Sequence, residues 1–127
     1  MVRALKATGL NPALVEADHA GAGASGFPTS LVTPRLDAGD ALIAGLYAQL
    51  LERAGQLYGQ VEGAILSQGV ILLENMARDA ARFDKIAVQD LWPDNSMLRL
   101  TPDQASDLLG ETVSRGGLEM KTAFALS

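Results

Sequence analysis

Between Asp37 and Leu91 apolar residues return every three or four positions, and this repeat constrains the chain more than any other feature. Ile43, Tyr47, Leu50, Ala54, Leu57, Val61 and Ala64 form one such series, and Ile65, Leu72, Met76, Ala80, Phe83 and Ala87 continue it. Alternating steps of four and three place side chains on one face of an α-helix. Asp37 or Asp40 can cap its start, and Glu74, Arg78, Asp79 and Arg82 fall on the opposite, polar side, with Glu74 and Arg78 at a favourable i,i+4 spacing. An unbroken helix over this span would be about 80 Å long at 1.5 Å per residue, more than a small domain covers. A hairpin of two helices with its turn at Gly59–Gly63 is therefore favoured over one long helix. Gly55, Gly59 and Gly63 also stand four apart. In a helix they would form a row against which a second backbone packs closely, and each interior glycine would cost about 1 kcal/mol relative to alanine.

On the N-terminal side the texture changes. Asn11 and Pro12 suit the cap and first position of a short helix. The run Ala20-Gly21-Ala22-Gly23-Ala24-Ser25-Gly26 has little side chain to pack, so residues 1–35 are expected to form a flexible arm. Within it, Ser30-Leu31-Val32-Thr33 has the character of a short edge strand ending at Pro34. Past residue 91, Pro93 disfavours helix at Trp92, and Asp94-Asn95-Ser96 is turn chemistry. Met97-Leu98-Arg99-Leu100 then alternates as a strand does. Thr101-Pro102-Asp103-Gln104 supplies an N-cap, a first-position proline and a capping-box glutamine, leading into a stripe of Ala105, Leu108, Leu109 and Val113 closed by Gly116-Gly117. Leu118, Met120, Thr122, Phe124 and Leu126 alternate as one face of a C-terminal strand, which must pack on a helix, pair with Leu31–Thr33 or join a neighbouring chain's sheet. The expected fold is mainly α: a helical hairpin or long interrupted helix with a small C-terminal β-α-β element, residues 36–127 forming one helical domain.

Few kinds of chemistry are open to such a chain. Its 127 residues carry a net charge of −5, with no cysteine and one histidine. The negative field repels phosphate backbones, so no direct nucleic-acid contact is expected. Without Cys and with His19 alone, beside a glycine-rich stretch, His-containing triads and zinc sites built on His or Cys fall away. Asp37, Asp40, Glu52, Glu62, Glu74, Asp79 and Asp84 show no metal-loop or paired-catalyst spacing. Gly21, Gly23 and Gly26 spell G-x-G-x-x-G without a strong strand before or a helix directly after, which is compositional chance. No cofactor and no metal are expected. The uncharged stretches 41–51 and 63–73 fall well short of the roughly 20 residues that span a bilayer, and Lys6, Thr8, Asn11 and Pro12 interrupt any secretory leader.

Absent chemistry and excess apolar helix together point to a non-enzymatic structural or adaptor subunit of a larger bacterial or phage assembly, a virion component acting through helix packing. Its partners would be protein subunits, in a homo-oligomer or multi-chain particle, and its place the cytoplasm or the assembled particle. The candidate interface comprises Tyr47, Leu50, Ala54, Gly55, Leu57, Gly59, Val61, Gly63, Trp92 and Phe124, with Trp92 also suited to anchor the core. A second reading is a small regulatory protein that binds one partner chain by a helix-in-groove contact. A third is an enzyme working through carboxylates alone, with Glu74, Asp79 and Asp84 as its groups.

Overall fold

The structure, a computed structural model, describes residues 2–93 and 95–127; Met1 and the Asp94 member of the expected turn lie outside the described residues. Its elements in chain order are α1 (Val2–Ala7), a 3-10 turn at Gly23–Gly26, β1 (Ser30–Val32), α2 (Ala41–Tyr58), β2 (Ile65–Leu73), α3 (Asp79–Ala87), β3 (Met97–Leu100), α4 (Pro102–Leu109) and β4 (Gly117–Leu126). These strands belong to one antiparallel sheet with β4 at its centre. β2 runs along one edge of β4, and β1 and β3 share the other edge end to end, β1 opposite residues 124–126 and β3 opposite residues 117–120. The fold is mixed α and β, which corrects the mainly α expectation.

The correction centres on residues 59–73. Asp40 caps α2 as expected, its carboxylate accepting from the Ile43 N–H at 3.0 Å, but the helix closes at Tyr58 and Gly59 serves as its C-cap. Gly63 then takes φ +73°, a left-handed conformation that suits glycine and ends the glycine row. The chain continues into β2 rather than into a second hairpin helix. Ile65, Val70 and Ile71 are β-branched and pack well on a pleated surface, and a whole edge of β4 is there to satisfy their backbone. Spacing alone does not separate a buried helix from a strand in a short apolar run. The Glu74–Arg78 pair is not formed either, because Glu74 follows β2 and turns to Arg99. Of the second half of the seam, Ala80, Phe83 and Ala87 do lie on a helix, the nine-residue α3.

β3, α4 and β4 stand where local signals place them. Thr101 accepts from the Gln104 N–H at 3.3 Å while Gln104 accepts from the Thr101 N–H at 2.9 Å, closing the capping box. Gly110, at φ +70°, ends α4 earlier than the expected stop at Gly116-Gly117. β4 does not keep one alternation throughout. Its pairing with β2 shifts between Gln68 and Val70, where Gly69 adopts φ +90°, and a bulge of this kind changes which side chains face the core. Thr122 is accordingly exposed, while Ala123 joins Leu118 and Met120 inside.

Leu36, Phe83, Ile86, Met97, Leu118, Met120 and Ala123 form the main core, with Trp92 packed against it. The segment before α2 is tied to this core by two side chains: Arg82 donates to the Leu36 carbonyl and Gln89 to the Asp37 carbonyl, each at 2.8 Å. Within residues 1–35, the segment expected as a flexible arm, β1 pairs with β4. Asn11 and Pro12 start no helix, since so short a segment with no face to bury cannot offset the cost of nucleation. Helix α1 lies earlier and ends in a Schellman turn, with Gly9 at φ +82° and the Leu10 N–H donating to the Leu5 carbonyl at 3.1 Å.

Candidate functional site

The ten residues of the candidate interface do not form one surface. Phe124 is fully buried inside the chain, its ring edge-on to Tyr58 at 6.0 Å and 3.9 Å from where a Gly55 Cβ would stand. Tyr47 is half-buried beneath the Arg35 guanidinium, 5.9 Å from its ring centre. Ala54 and Gly55 are half-buried on α2, Gly59 and Gly63 belong to the turn after it, and Leu50 points outward. Leu57 and Val61 line a mostly apolar hollow of about 730 Å³ between α2 and α1, where Arg3 of α1 donates to the Leu57 carbonyl at 3.4 Å and to the Gln60 side chain.

Trp92 lies elsewhere, in a cleft of about 460 Å³ between α2 and the segment after α3. Ala48 and Leu51 give this cleft an apolar floor, and Gln49, Glu52, Asp90 and Thr122 bring polar groups to it. Glu52 and Asp90 are both exposed, so two carboxylates and an indole border the same concavity. The Trp92 indole N–H is buried and has no hydrogen-bond partner among the described residues. Apolar clefts with a few polar groups are the usual form of small-ligand sites. α2 contributes Gln49 and Glu52 because their spacing puts both near the flank that faces residues 90–93.

A second polar centre gathers around Arg99, a residue absent from every expected site. Its guanidinium pairs with Glu74, with Asp84 at 2.8 Å, and donates to the carbonyls of Leu100 at 2.9 Å and Gly117 at 3.0 Å. Burial opposes its charge, but the hydrogen bonds it donates to Asp84 and Glu74 outweigh that and raise its pKa above the ordinary arginine value. An arginine set within an alternating strand, Met97-Leu98-Arg99-Leu100, is the available signal. This cluster pins β3, β4, α3 and the end of β2 together. Its carboxylates are occupied by the arginine, which does not suit them to acid–base chemistry.

The other carboxylates hold backbone. Asp79 accepts from the N–H groups of Met76 and Asn75 at 2.7 and 2.8 Å, and these bonds lower its pKa. Asp37 accepts from Asp40 and Gly39, each at 2.9 Å, and is lowered for the same reason. The trio of Glu74, Asp79 and Asp84 is therefore divided between two structural tasks. His19 is exposed beside Asp18. Gly23 and Gly26 are the first and last residues of the 3-10 turn and Gly21 lies just before it, with no strand directly before the turn and no helix directly after it. Among the described residues no group of three or more His, Cys, Asp or Glu could hold a metal ion, and no helix is long and apolar enough to cross a membrane.

Sheet and cleft together define an α/β unit with a ligand-sized hollow. Its sequence is similar to part of the tRNA 5-methylaminomethyl-2-thiouridine biosynthesis bifunctional protein MnmC. With the protein of Caulobacter sp. (strain K31) it shares 39% identity over 126 residues, 99% of this chain but 20% of the relative. With that of Caulobacter vibrioides it shares 43% over 100 residues, 79% of this chain and 17% of the relative. The Nitrosospira multiformis protein shows 35% over 122 residues, 91% of this chain and 19% of the relative. The chain thus spans about a fifth of the length of the relatives it matches. No family model and no solved structure matches it.

These likenesses overturn the expectation of a non-enzymatic structural or adaptor subunit of a bacterial or phage particle. The relatives are named for a tRNA biosynthesis, which is enzyme work, and none is named as a virion or assembly component. Apolar excess over residues 37–91 does not by itself select a particle subunit, since exposed apolar surface marks contact or ligand sites of many kinds.

Proposed function

We propose that this chain is the α/β portion of a tRNA-modifying enzyme of the MnmC type, acting in the cytoplasm in the formation of 5-methylaminomethyl-2-thiouridine. The alignment of 99% of the chain, at 39% identity, with the Caulobacter sp. (strain K31) protein carries this reading. The Trp92 cleft supports it chemically. A methylaminomethyl group is an alkyl amine, protonated near neutral pH as lysine is, and Glu52 and Asp90 offer it negative partners. The indole offers a modified base an aromatic surface, and protein aromatics hold extruded bases and cations by such contacts. A net charge of −5 leaves the tRNA phosphates to be held by other parts of the enzyme. The residues bordering this cleft hold and orient a cation; they do not supply a nucleophile.

The test is a chimera in which this chain replaces the matching segment of the Caulobacter sp. protein, expressed in a strain that lacks the modification. Nucleoside mass spectrometry of its tRNA should detect 5-methylaminomethyl-2-thiouridine. The Glu52→Gln/Asp90→Asn double variant should cut that level at least tenfold with an unchanged melting temperature, because both side chains are exposed. A folded chimera that makes none of the nucleoside would overturn the reading.

A further inference from the structure

Helix α2 is apolar on two opposite sides. Ala44 and Leu51 are buried, 1% and 5% exposed, against the rest of the chain. Roughly half a turn away, Leu42, Leu46, Leu50 and Leu57 are 83%, 49%, 50% and 38% exposed. At 100° per residue these four fall within an arc of roughly 80°, an unbroken outer stripe with Arg53 as its charged member. A helix at the surface of an independent domain keeps that side polar, and one that is hydrophobic all round is buried. The covering that the chain itself provides is small: α1 reaches only the Leu57 end of the stripe, held there by Arg3.

We propose that the outer leucine face of α2 is the seat for the remainder of an MnmC-type polypeptide. The inference rests on the function proposed above. Its support is the length relation: nearly all of this chain aligns with a fifth of a much longer protein, so in that setting some four-fifths of the polypeptide surrounds it. A second copy of this chain fits less well. Four partly exposed leucines offer on the order of 400 Å², about half of what each partner buries in a stable complex. The stripe alone does not sustain a dimer, whereas it serves as one patch of a larger contact with a body that also reaches Leu10, Leu14 and Val15, which stand exposed in the irregular segment after α1.

Leu46→Glu/Leu50→Glu tests the seat by comparison of two settings. In the isolated chain the melting temperature should move by less than a degree or two, because both side chains already face water. In the chimera with the Caulobacter sp. protein the same pair should lower it by several degrees. Leu46→Cys in this cysteine-free chain, labelled with a solvatochromic dye, provides a second reading: its emission in the folded chimera should lie to the blue of its emission in the isolated chain. Equal melting shifts in both settings, no spectral difference between them, or a label shift that depends only on this chain's own concentration would overturn the seat, the last pointing to a second copy. A chimera that makes the nucleoside yet tolerates both glutamates would refute the seat and leave the proposed function standing.

Discussion

The sheet layer formed by residues 96–127 and the outer side of α2 are built on opposite terms. In the first, each strand meets a partner inside the chain: β4 is paired along both edges, α4 is capped at both ends, and Leu118, Met120, Ala123 and Phe124 are buried. In the second, four leucines look outward. One region has its interactions closed by its own sequence, and the other reads as surface awaiting a neighbour. Apolar content by itself does not tell core from interface; the distinction lies in whether the same polypeptide brings a matching face.

Substitutions can break or sharpen this contrast. The largest effect belongs to Phe124→Ala, which opens a hole where β4 meets α2 and should cost about 3–5 kcal/mol, read from the midpoint of urea unfolding. Arg99→Met should cost about 2 kcal/mol, because it removes the partner of a largely covered Glu74 and two carbonyl contacts, in a cluster whose Asp84 arm is already solvated. Thr101→Ala, which deletes the capping-box acceptor of α4, should cost about 1 kcal/mol. Leu42→Ala, on the outward side of α2, should stay within about 0.5 kcal/mol in the isolated chain; a loss comparable to that of Phe124→Ala would erase the distinction between the two regions.

The smallest effect depends on pH. Backbone hydrogen bonds from Met76 and Asn75 lower the pKa of Asp79 below its ordinary 3.8. Its contribution is therefore complete above the unfolded-state value and disappears as the pH falls through the lower folded one. Asp79→Asn should flatten part of the loss of stability that sets in as the pH falls below about 4, measured by unfolding curves at each pH, with no change in slope at neutral pH.

Legibility in the sequence divides along the same line. The signals for α4 are local: Thr101, Pro102 and Gln104 lie within one turn and need no distant partner. β3 and β4 are likewise visible as alternation, and Asp40 as a cap. Residues 59–73 mislead because Val61, Ala64, Ile65 and Leu72 match a helical spacing, and only the long-range pairing of β2 with β4, 45 or more residues away in sequence for most of its length, decides for a strand. The bulge opposite Gly69 is invisible for the same reason. Trp92 stands out by itself, but its cleft does not, since Gln49 and Glu52 come from α2 some 40 residues earlier. The task of Arg99 requires knowing that Glu74 and Asp84 converge on it.

The tRNA nucleosides made by the chimera test the central claim most directly. With this chain in place of the matching segment of the Caulobacter sp. protein, the account predicts that 5-methylaminomethyl-2-thiouridine reappears, and that it falls at least tenfold when Glu52 and Asp90 lose their charge. A stable, folded chimera whose tRNA carries none of that nucleoside would contradict it.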